Sequence, residues 1–555
     1  MRDFVLIYLN GVRREIRGRE ALMMLADWLR KEAGLTGTKI VCAEGDCGSC
    51  TVLRAFPDLA AHAHIHVAVQ GGVKVGANVG TDHATHSAPL EFEAMNSCIV
   101  TVAQMDGSHI VTVEGMQCGD ELSPAQVAMK QCHASQCGYC TPGFVMAISA
   151  MLEKHGDANG ARVNVASDSG GRVNVASHGG AVAAQHIDAK MAANYLTGNL
   201  CRCTGYAPIV QAALTVRATE KHSVAGRYSN PAAIADALNT ATKSLLIEHD
   251  GVKLFAPVSL REAVTFAAQN PGFKVLAAAT DMGVQTNKGK PLPRVMLSLH
   301  LVNELYQAKQ SRSGIVVGAR VTLAQLRRLC ETTAPGLASF LNLFGSPQIK
   351  NVATLVGNIA NASPIGDTLP FLLIADAVVH VASRPGGKGP IHKRKIEFTD
   401  LYVGYKKLAL TPEEIITHVS FNATDSKELL RLYKVSQRKD MDISAISGAF
   451  SMTMTGRVKS SAVNTTTHAG ARKTKSPPHV VSARIAYGGV AATPIRMPEI
   501  EAALVGDFTM QKAQAVAHMI ASAITPLSDV RGSAAYRRVT AAKLFMRYAS
   551  EVLNG

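Results

Sequence analysis

The first apolar run, Phe4-Val-Leu-Ile-Tyr-Leu9, breaks at Asn10-Gly11 and resumes from Val12 to Ile16. Two short strands joined at Asn-Gly form a hairpin pattern, because both turn residues tolerate positive φ. Leu22, Leu25 and Leu29 then recur at helical spacing until Gly34, which predicts one helix. Hairpin, helix and a following cysteine loop give the order of a small ferredoxin-like fold. From Ser123 the pattern turns helical. Ser123-Pro124 and Thr141-Pro142 each read as an N-cap and first helical residue. The second pair is followed by Phe144, Ile148, Met151 and Leu152 on one face, up to Gly156. A third helix is predicted around Ile187 to Leu196, stopping near Gly198, and a fourth opens at Pro208 with Ile209, Ala212, Ala213 and Val216. Residues 115–220 therefore read as a small helical bundle.

A linker from Ser223 to Asn230 leads into apolar runs such as Lys274 to Ala279, mixed with helices such as Ser259 to Asn270, an α/β or α+β pattern. The segment from Val481 carries the strand-like Ser482 to Tyr487 and ends in long helices. Two stretches read as surface excursions. Residues 156–185 contain Arg-Val-Asn-Val-Ala-Ser twice, at 162–167 and 172–177, and two copies are too few for a solenoid. Residues 456–479 are rich in Thr, Ser, Lys and Pro.

At 555 residues the chain is too long for one core, and three or four domains are expected. Its composition, 47% apolar and 18% charged, is that of a globular protein. The net charge of +15 raises the question of a polyanionic partner. The excess is scattered, and there is one Trp and no aromatic platform motif, so no nucleic-acid partner is expected. No stretch approaches the roughly 18 apolar residues of a membrane span, and Phe4 to Leu9 is too short for a secretion signal, so a cytoplasmic protein with no membrane partner is expected. Eleven cysteines in such a chain point to metal ligation rather than to disulfides.

Cys42-Ala-Glu-Gly-Asp-Cys47-Gly-Ser-Cys50 has the C-x4-C-x2-C spacing of a plant-type 2Fe-2S loop, which needs one more thiolate, here assigned to Cys98. Gly45 and Gly48 let such a loop take positive φ and aim N–H groups at sulfur. Cys137-Gly-Tyr-Cys140 precedes a helix start, and Cys201-Arg-Cys203 follows a helix stop. From spacing alone, these four can hold an iron-sulfur cluster or zinc. His62, His64 and His66 share one face of any strand they form, a candidate metal set weighed against solvent-exposed histidines.

Ser135-Gln-Cys-Gly-Tyr-Cys-Thr-Pro-Gly143 and Gly198-Asn-Leu-Cys-Arg-Cys-Thr-Gly-Tyr206, with the first cysteine loop and Asn96-Ser-Cys98, resemble the two-cluster module of the xanthine dehydrogenase family. The resemblance implies that Cys42, Cys47, Cys50 and Cys98 bind one 2Fe-2S cluster and that Cys137, Cys140, Cys201 and Cys203 bind a second, with Gln136 facing a molybdenum cofactor in a partner chain. Cys118, Cys132 and Cys330 are left as small buried apolar residues. Between Cys50 and Cys98 lie 47 residues, and between Cys140 and Cys201 lie 60, both longer than the family usually has. Closure cost grows only about 0.6 kcal/mol per doubling, so the inserts permit ligation.

Bottom-up, the second half offers glycine-containing loops around Gly345 and Gly357 and no G-x-G-x-x-G after a strand, so a Rossmann site is not expected. The segments 275–283, 344–359, 362–367 and 433–440 are similar to the flavin domain of the same family, in the same order. That similarity implies FAD held by Val275, Leu276, Ala277, Ala278, Ala279, Thr280, Asp281 and Met282 and by Thr354, Leu355, Val356, Gly357 and Asn358. Phe344 is placed near the ring, and Asp367, Leu410 and Lys434 complete the site. Ala278 and Val356 stand where the family usually has glycine, and a Cβ there can obstruct approach to the pyrophosphate. Residues 485–494 and 531–538 resemble the small C-terminal domain of the flavin module.

The expected architecture is α+β multidomain. It comprises a β-grasp ferredoxin-like domain (1–114, insert near 55–90), a four-helix 2Fe-2S domain (115–220, insert near 156–185) and a linker (221–244). An α+β FAD-binding domain of the vanillyl-alcohol-oxidase/PCMH-like kind (245–425) and a small C-terminal α/β flavoprotein domain (426–555) follow. The sequence holds no molybdopterin-binding portion, so the resemblance implies a separate molybdenum-cofactor subunit in a heterodimer or heterotetramer, oxidising xanthine or hypoxanthine. It further implies that electrons cross both clusters to FAD and reduce NAD+. An aldehyde or N-heterocycle hydroxylase, a redox adaptor without FAD and a zinc-stabilised scaffold are the alternatives.

Overall fold

Asn10 and Gly11 take φ of +50° and +80°, and the strands they join, Val5–Leu9 and Val12–Ile16, pair antiparallel from Val5↔Ile16 to Leu9↔Val12. In the computed structural model, which describes residues 1–56, 66–67, 90–117, 119–155, 187–216, 223–224, 227–228, 231–240, 242–425, 427–455 and 477–554, this hairpin edges a five-stranded sheet. The order continues through Ser108–Val111, parallel to Val5–Leu9, then Thr51–Ala55 and Glu93–Asn96. The single helix expected after the hairpin is two, Gly18–Leu22 and Leu25–Lys31. Met23 and Met24 between them are extended because the backbone pairs elsewhere: Val102 N–H donates to Met23 O, and Leu25 N–H to Val100 O. Tertiary pairing overrides the leucine periodicity there.

Four helices follow: Pro124–Gln131, Thr141–His155, Ala189–Leu196 and Ala207–Thr215. Ser123 caps the first in a reciprocal box with Gln126. Phe144, Ile148, Met151, Leu196, Ile209 and Ala212 form their common core. The expected linker contains a helix of its own, Pro231–Thr240. Its Ile234, Ala235 and Leu238 pack on Leu6 and Leu53 of the first sheet, because apolar residues at i, i+1 and i+4 make one buried face.

The flavin-like half opens with a four-stranded sheet, ordered Leu245–His249, Val252–Ala256, Val295–Ser298 and Lys274–Leu276. A larger sheet runs His392–Glu397, Val378–Ser383, Ile415–Asn422, Gly314–Gly318 and Ala308–Gln310, with the backbone of His66–Val67 parallel to the last. The C-terminal sheet is antiparallel, built on the ten-residue strands Ile446–Thr455 and His479–Gly488 and covered by Met510–Ala523 and Ala534–Asn554. The 162–177 repeat, His62, His64, Cys118 and most of 456–479 lie outside the described residues. No described helix is long and apolar enough to cross a membrane.

Candidate cofactor-binding sites

Cys42, Cys47 and Cys50 sit on one loop and Cys98 in the short turn Ser97–Ile99, beside the strand that pairs with Thr51–Ala55. Fold topology therefore closes the 47-residue separation. Cys47, Cys50 and Cys98 are buried and Cys42 half-buried. The sulfurs are in mutual reach: the thiols of Cys47 and then Cys98 hold Cys42 far below the ordinary thiol range, helped by the N–H groups of Glu44 and Cys47, each 3.4 Å away. The thiols that donate, Cys47 and Cys98, are pushed up correspondingly. Thiols in pairwise reach without a disulfide are soft donors, which lose their protons when they bind metal. Asn96 fixes the loop, donating Nδ2 to Gly45 O at 2.6 Å while its Oδ1 faces Cys50 Sγ at 3.8 Å.

Cys137, Cys140, Cys201 and Cys203 also converge, across 60 intervening residues. Cys203 Sγ lies 3.4 Å from Cys137 Sγ. Burial, then the thiol of Cys201, pushes Cys140 up to about 12. Cys201 is positioned by the Tyr206 hydroxyl, which accepts its N–H at 3.1 Å, and by Thr204 Oγ1 at 3.2 Å from sulfur. Unlike the first group, this one is at the surface: Cys137, Cys203 and Gln136 are exposed, rimmed by exposed Tyr139, Leu200 and Tyr206. Beside it a cavity of about 400 Å³ is lined by Lys130, His133, Ser135 and Thr141.

The two groups are joined through backbone. Leu200 N–H donates to Cys47 O at 3.0 Å, so a cysteine of the first group is one hydrogen bond from the neighbour of Cys201. Gly48 makes this approach possible: a Cβ on it would stand 2.2 Å from Gly198 O.

On the flavin side, Lys434 Nζ donates to Asp367 Oδ2 at 2.8 Å with both side chains buried (4% and 7% exposed), and Ser444 donates to the other carboxylate oxygen. The same Lys434 Nζ lies 6.0 Å from the centre of the half-buried Phe344 ring. Thr368, next to Asp367, donates to Asn358 Oδ1 at 2.7 Å, and Thr354 caps its helix by accepting from Gly357 N–H. Leu410 packs on the same apolar core as Phe344. The 275–282 loop is placed from another side: Leu276 and Ala278 share a core with Val352, and Gln104 donates to Ala278 O at 3.1 Å. Ala279 then turns the chain at φ +57° into the helix Thr280–Asn287, whose first N–H groups have no partner inside the helix and suit a phosphate. Ala278 and Val356 are 9% and 5% exposed and belong to apolar cores. The residues present fit a flavin dinucleotide.

Three family models match in sequence order: a 2Fe-2S binding domain over 112–214, the FAD binding domain in molybdopterin dehydrogenase over 250–422, and the CO dehydrogenase flavoprotein C-terminal domain over 431–552. Xanthine dehydrogenase of Blastobotrys adeninivorans is 26% identical over 99% of this chain and 40% of its own length, and xanthine dehydrogenase 2 of Arabidopsis thaliana is 27% identical over 90% and 36%. The chain is similar to the xanthine dehydrogenase family along nearly its whole length. It spans about two-fifths of the length of these curated relatives. Carbon monoxide dehydrogenase of Hydrogenophaga pseudoflava, 24% identical, aligns over 53% of this chain and 94% of its own with a TM-score of 0.45.

Several residues about the sites carry no cysteine or charge signal that would have singled them out. Asn199 donates to Gly48 O at 3.0 Å, and Gln348 donates to Asn199 Oδ1. Both lie inside quoted motifs, where polar amides flanking ligands were the available clue. Gln104 and Asn287 lie in no motif that hinted at their interdomain bonds.

Proposed function

We propose that this chain is the electron-transfer portion of a molybdenum hydroxylase that oxidises xanthine or hypoxanthine. In this reading Cys42, Cys47, Cys50 and Cys98 hold one 2Fe-2S cluster, and Cys137, Cys140, Cys201 and Cys203 the other. The 275–282 and 354–358 segments, with Phe344, Asp367, Leu410 and Lys434, hold FAD. When bound, these groups supply a relay that passes electrons from a partner molybdenum-cofactor chain to NAD+.

The observation that carries the reading is the gradient of burial along one connected line. The second cysteine group is exposed, beside Gln136 and an apolar rim suited to a partner surface. The first is buried, hydrogen-bonded on one side to the second loop through Leu200 and on the other to the flavin-side helix through Asn287. The chain's own residues thus separate an outward-facing donor site from an inward one. Electron entry at the surface and exit at the flavin follow from that order. The reading places the chain in the cytoplasm, where thiolates stay reduced for metal ligation.

The test is anaerobic addition of NADH to the purified chain. Bleaching of the cluster absorbance with FAD loaded, and none after FAD removal, is expected. Full FAD loading with no bleaching by NADH would overturn the assignment of the acceptor.

A further inference from the structure

The helix Thr280–Asn287 begins at the flavin-side loop and ends at the first cysteine group. Its last residue, Asn287, places Nδ2 2.8 Å from Ala43 O and 2.7 Å from Cys98 O. One carboxamide therefore spends both N–H groups on two chain segments 55 residues apart: the residue after Cys42, and Cys98 itself. The helix is also pressed directly on this turn, since a Cβ on Gly283 would stand 2.0 Å from Ile99 O. Val284 packs on Cys50, Cys98 and Ile99. At the other end, Ala278 O is held by Gln104. The helix is thus fixed between the loop expected to carry the pyrophosphate and the thiols expected to carry iron.

We propose that Asn287 is a positioning residue that couples flavin occupancy of the 275–282 loop to the first cluster. Its amide holds Cys98 and the Cys42 loop in register, and its N–H dipoles present positive ends to the backbone that surrounds the cluster. A dinucleotide bound at the helix N-terminus brings negative charge roughly 10 Å along the axis from Asn287 and fixes the helix that carries it. Loss of the amide removes both the clamp and the dipoles, which makes the cluster harder to reduce. This inference rests on the electron-transfer reading above.

The experiment is a redox titration of the full chain followed by electron paramagnetic resonance, with FAD loaded and after its removal. It compares the wild type with Asn287→Asp, which keeps the shape but replaces both donors by a carboxylate, and with Asn287→Leu, which removes the donors without adding charge. In the wild type, FAD removal is expected to shift the midpoint of the first cluster and leave the second unmoved. In Asn287→Asp the first midpoint is expected at more negative potential, the second unchanged, and the FAD-dependent shift abolished. If Asn287→Leu fails to assemble the first cluster, Asn287→Asp decides. An equal FAD-dependent shift in wild type and Asn287→Asp, or no shift in the wild type, overturns the coupling. A wild-type chain lacking the clusters or FAD would instead overturn the cofactor reading itself.

Discussion

Gln348 donates its Nε2 hydrogen to Asn199 Oδ1 across 2.7 Å, and both residues are buried, at 0% and 3% exposure. Asn199 in turn donates to Gly48 O, and Gln348 Nε2 also lies 3.3 Å from Thr51 Oγ1. Three units meet at this pair: the flavin-side segment after Phe344, the helical bundle just before Cys201, and the loop that carries Cys47 and Cys50. The geometry is tight, because a Cβ on Gly198 would stand 2.0 Å from Gln348 Oε1.

Gln348→Leu removes the donor and leaves Asn199 Oδ1 buried and unpaired, at a cost of about 1–3 kcal/mol. Gly198→Ala adds a clash at the same point and is expected to cost at least as much. Chemical denaturation checks both, and iron content should fall at the second cluster before the first, because its loop is the one released.

Lys434→Met leaves the Asp367 carboxylate without its buried cation. Breaking such a pair costs about 3–5 kcal/mol, whereas replacing both partners by apolar residues costs less. Flavin released on dilution, measured by its fluorescence, should increase in Lys434→Met while the cluster absorbance is retained.

His109 is fully buried, and its Nε2 accepts the Gly11 N–H at 3.1 Å, so only the neutral ring fits; burial lowers its pKa to about 4. The unfolded chain, at about 6.5, binds the proton more readily, so stability rises with pH across this window and is lost as pH falls from about 6.5 towards 4. At pH 5 this one residue accounts for about 2 kcal/mol of lost stability. His109→Gln keeps an acceptor for Gly11 and should flatten the pH dependence of denaturation between 6.5 and 5.

Cys330 is fully buried outside both cysteine groups, and burial pushes its thiol up to about 12. It should resist alkylation in the native protein, and Cys330→Ala should keep all of its iron. Cys203→Ser should lose about half of it. After iron removal, the exposed Cys137 and Cys203 should be labelled before the buried Cys47, Cys50 and Cys98.

The grouping of the first cysteines was legible in their spacing: Cys42, Cys47 and Cys50 lie on one loop, and topology brings Cys98 to them. The helix start at Ser123-Pro124 was legible from capping chemistry, which acts over a few residues, whereas the second helix already includes Thr141, whose hydroxyl pairs with Ser135. The break at Met23-Met24 was not, because it depends on pairing with residues 100–102, which periodicity cannot register. Helix Pro231–Thr240 hid in what composition presented as linker. Ala278 and Val356 join apolar cores that only the tertiary fold assembles. Asn199, Gln348 and Asn287 bond across 149 to 244 positions, so nothing adjacent in sequence announces their partners.

The central claim is that one chain carries two clusters and a flavin, and an anaerobic cofactor inventory tests it most directly. The account predicts about four iron and four acid-labile sulfide per chain, with one FAD and no stoichiometric zinc. Zinc in place of iron, or full iron and sulfide with no flavin taken up, would contradict it.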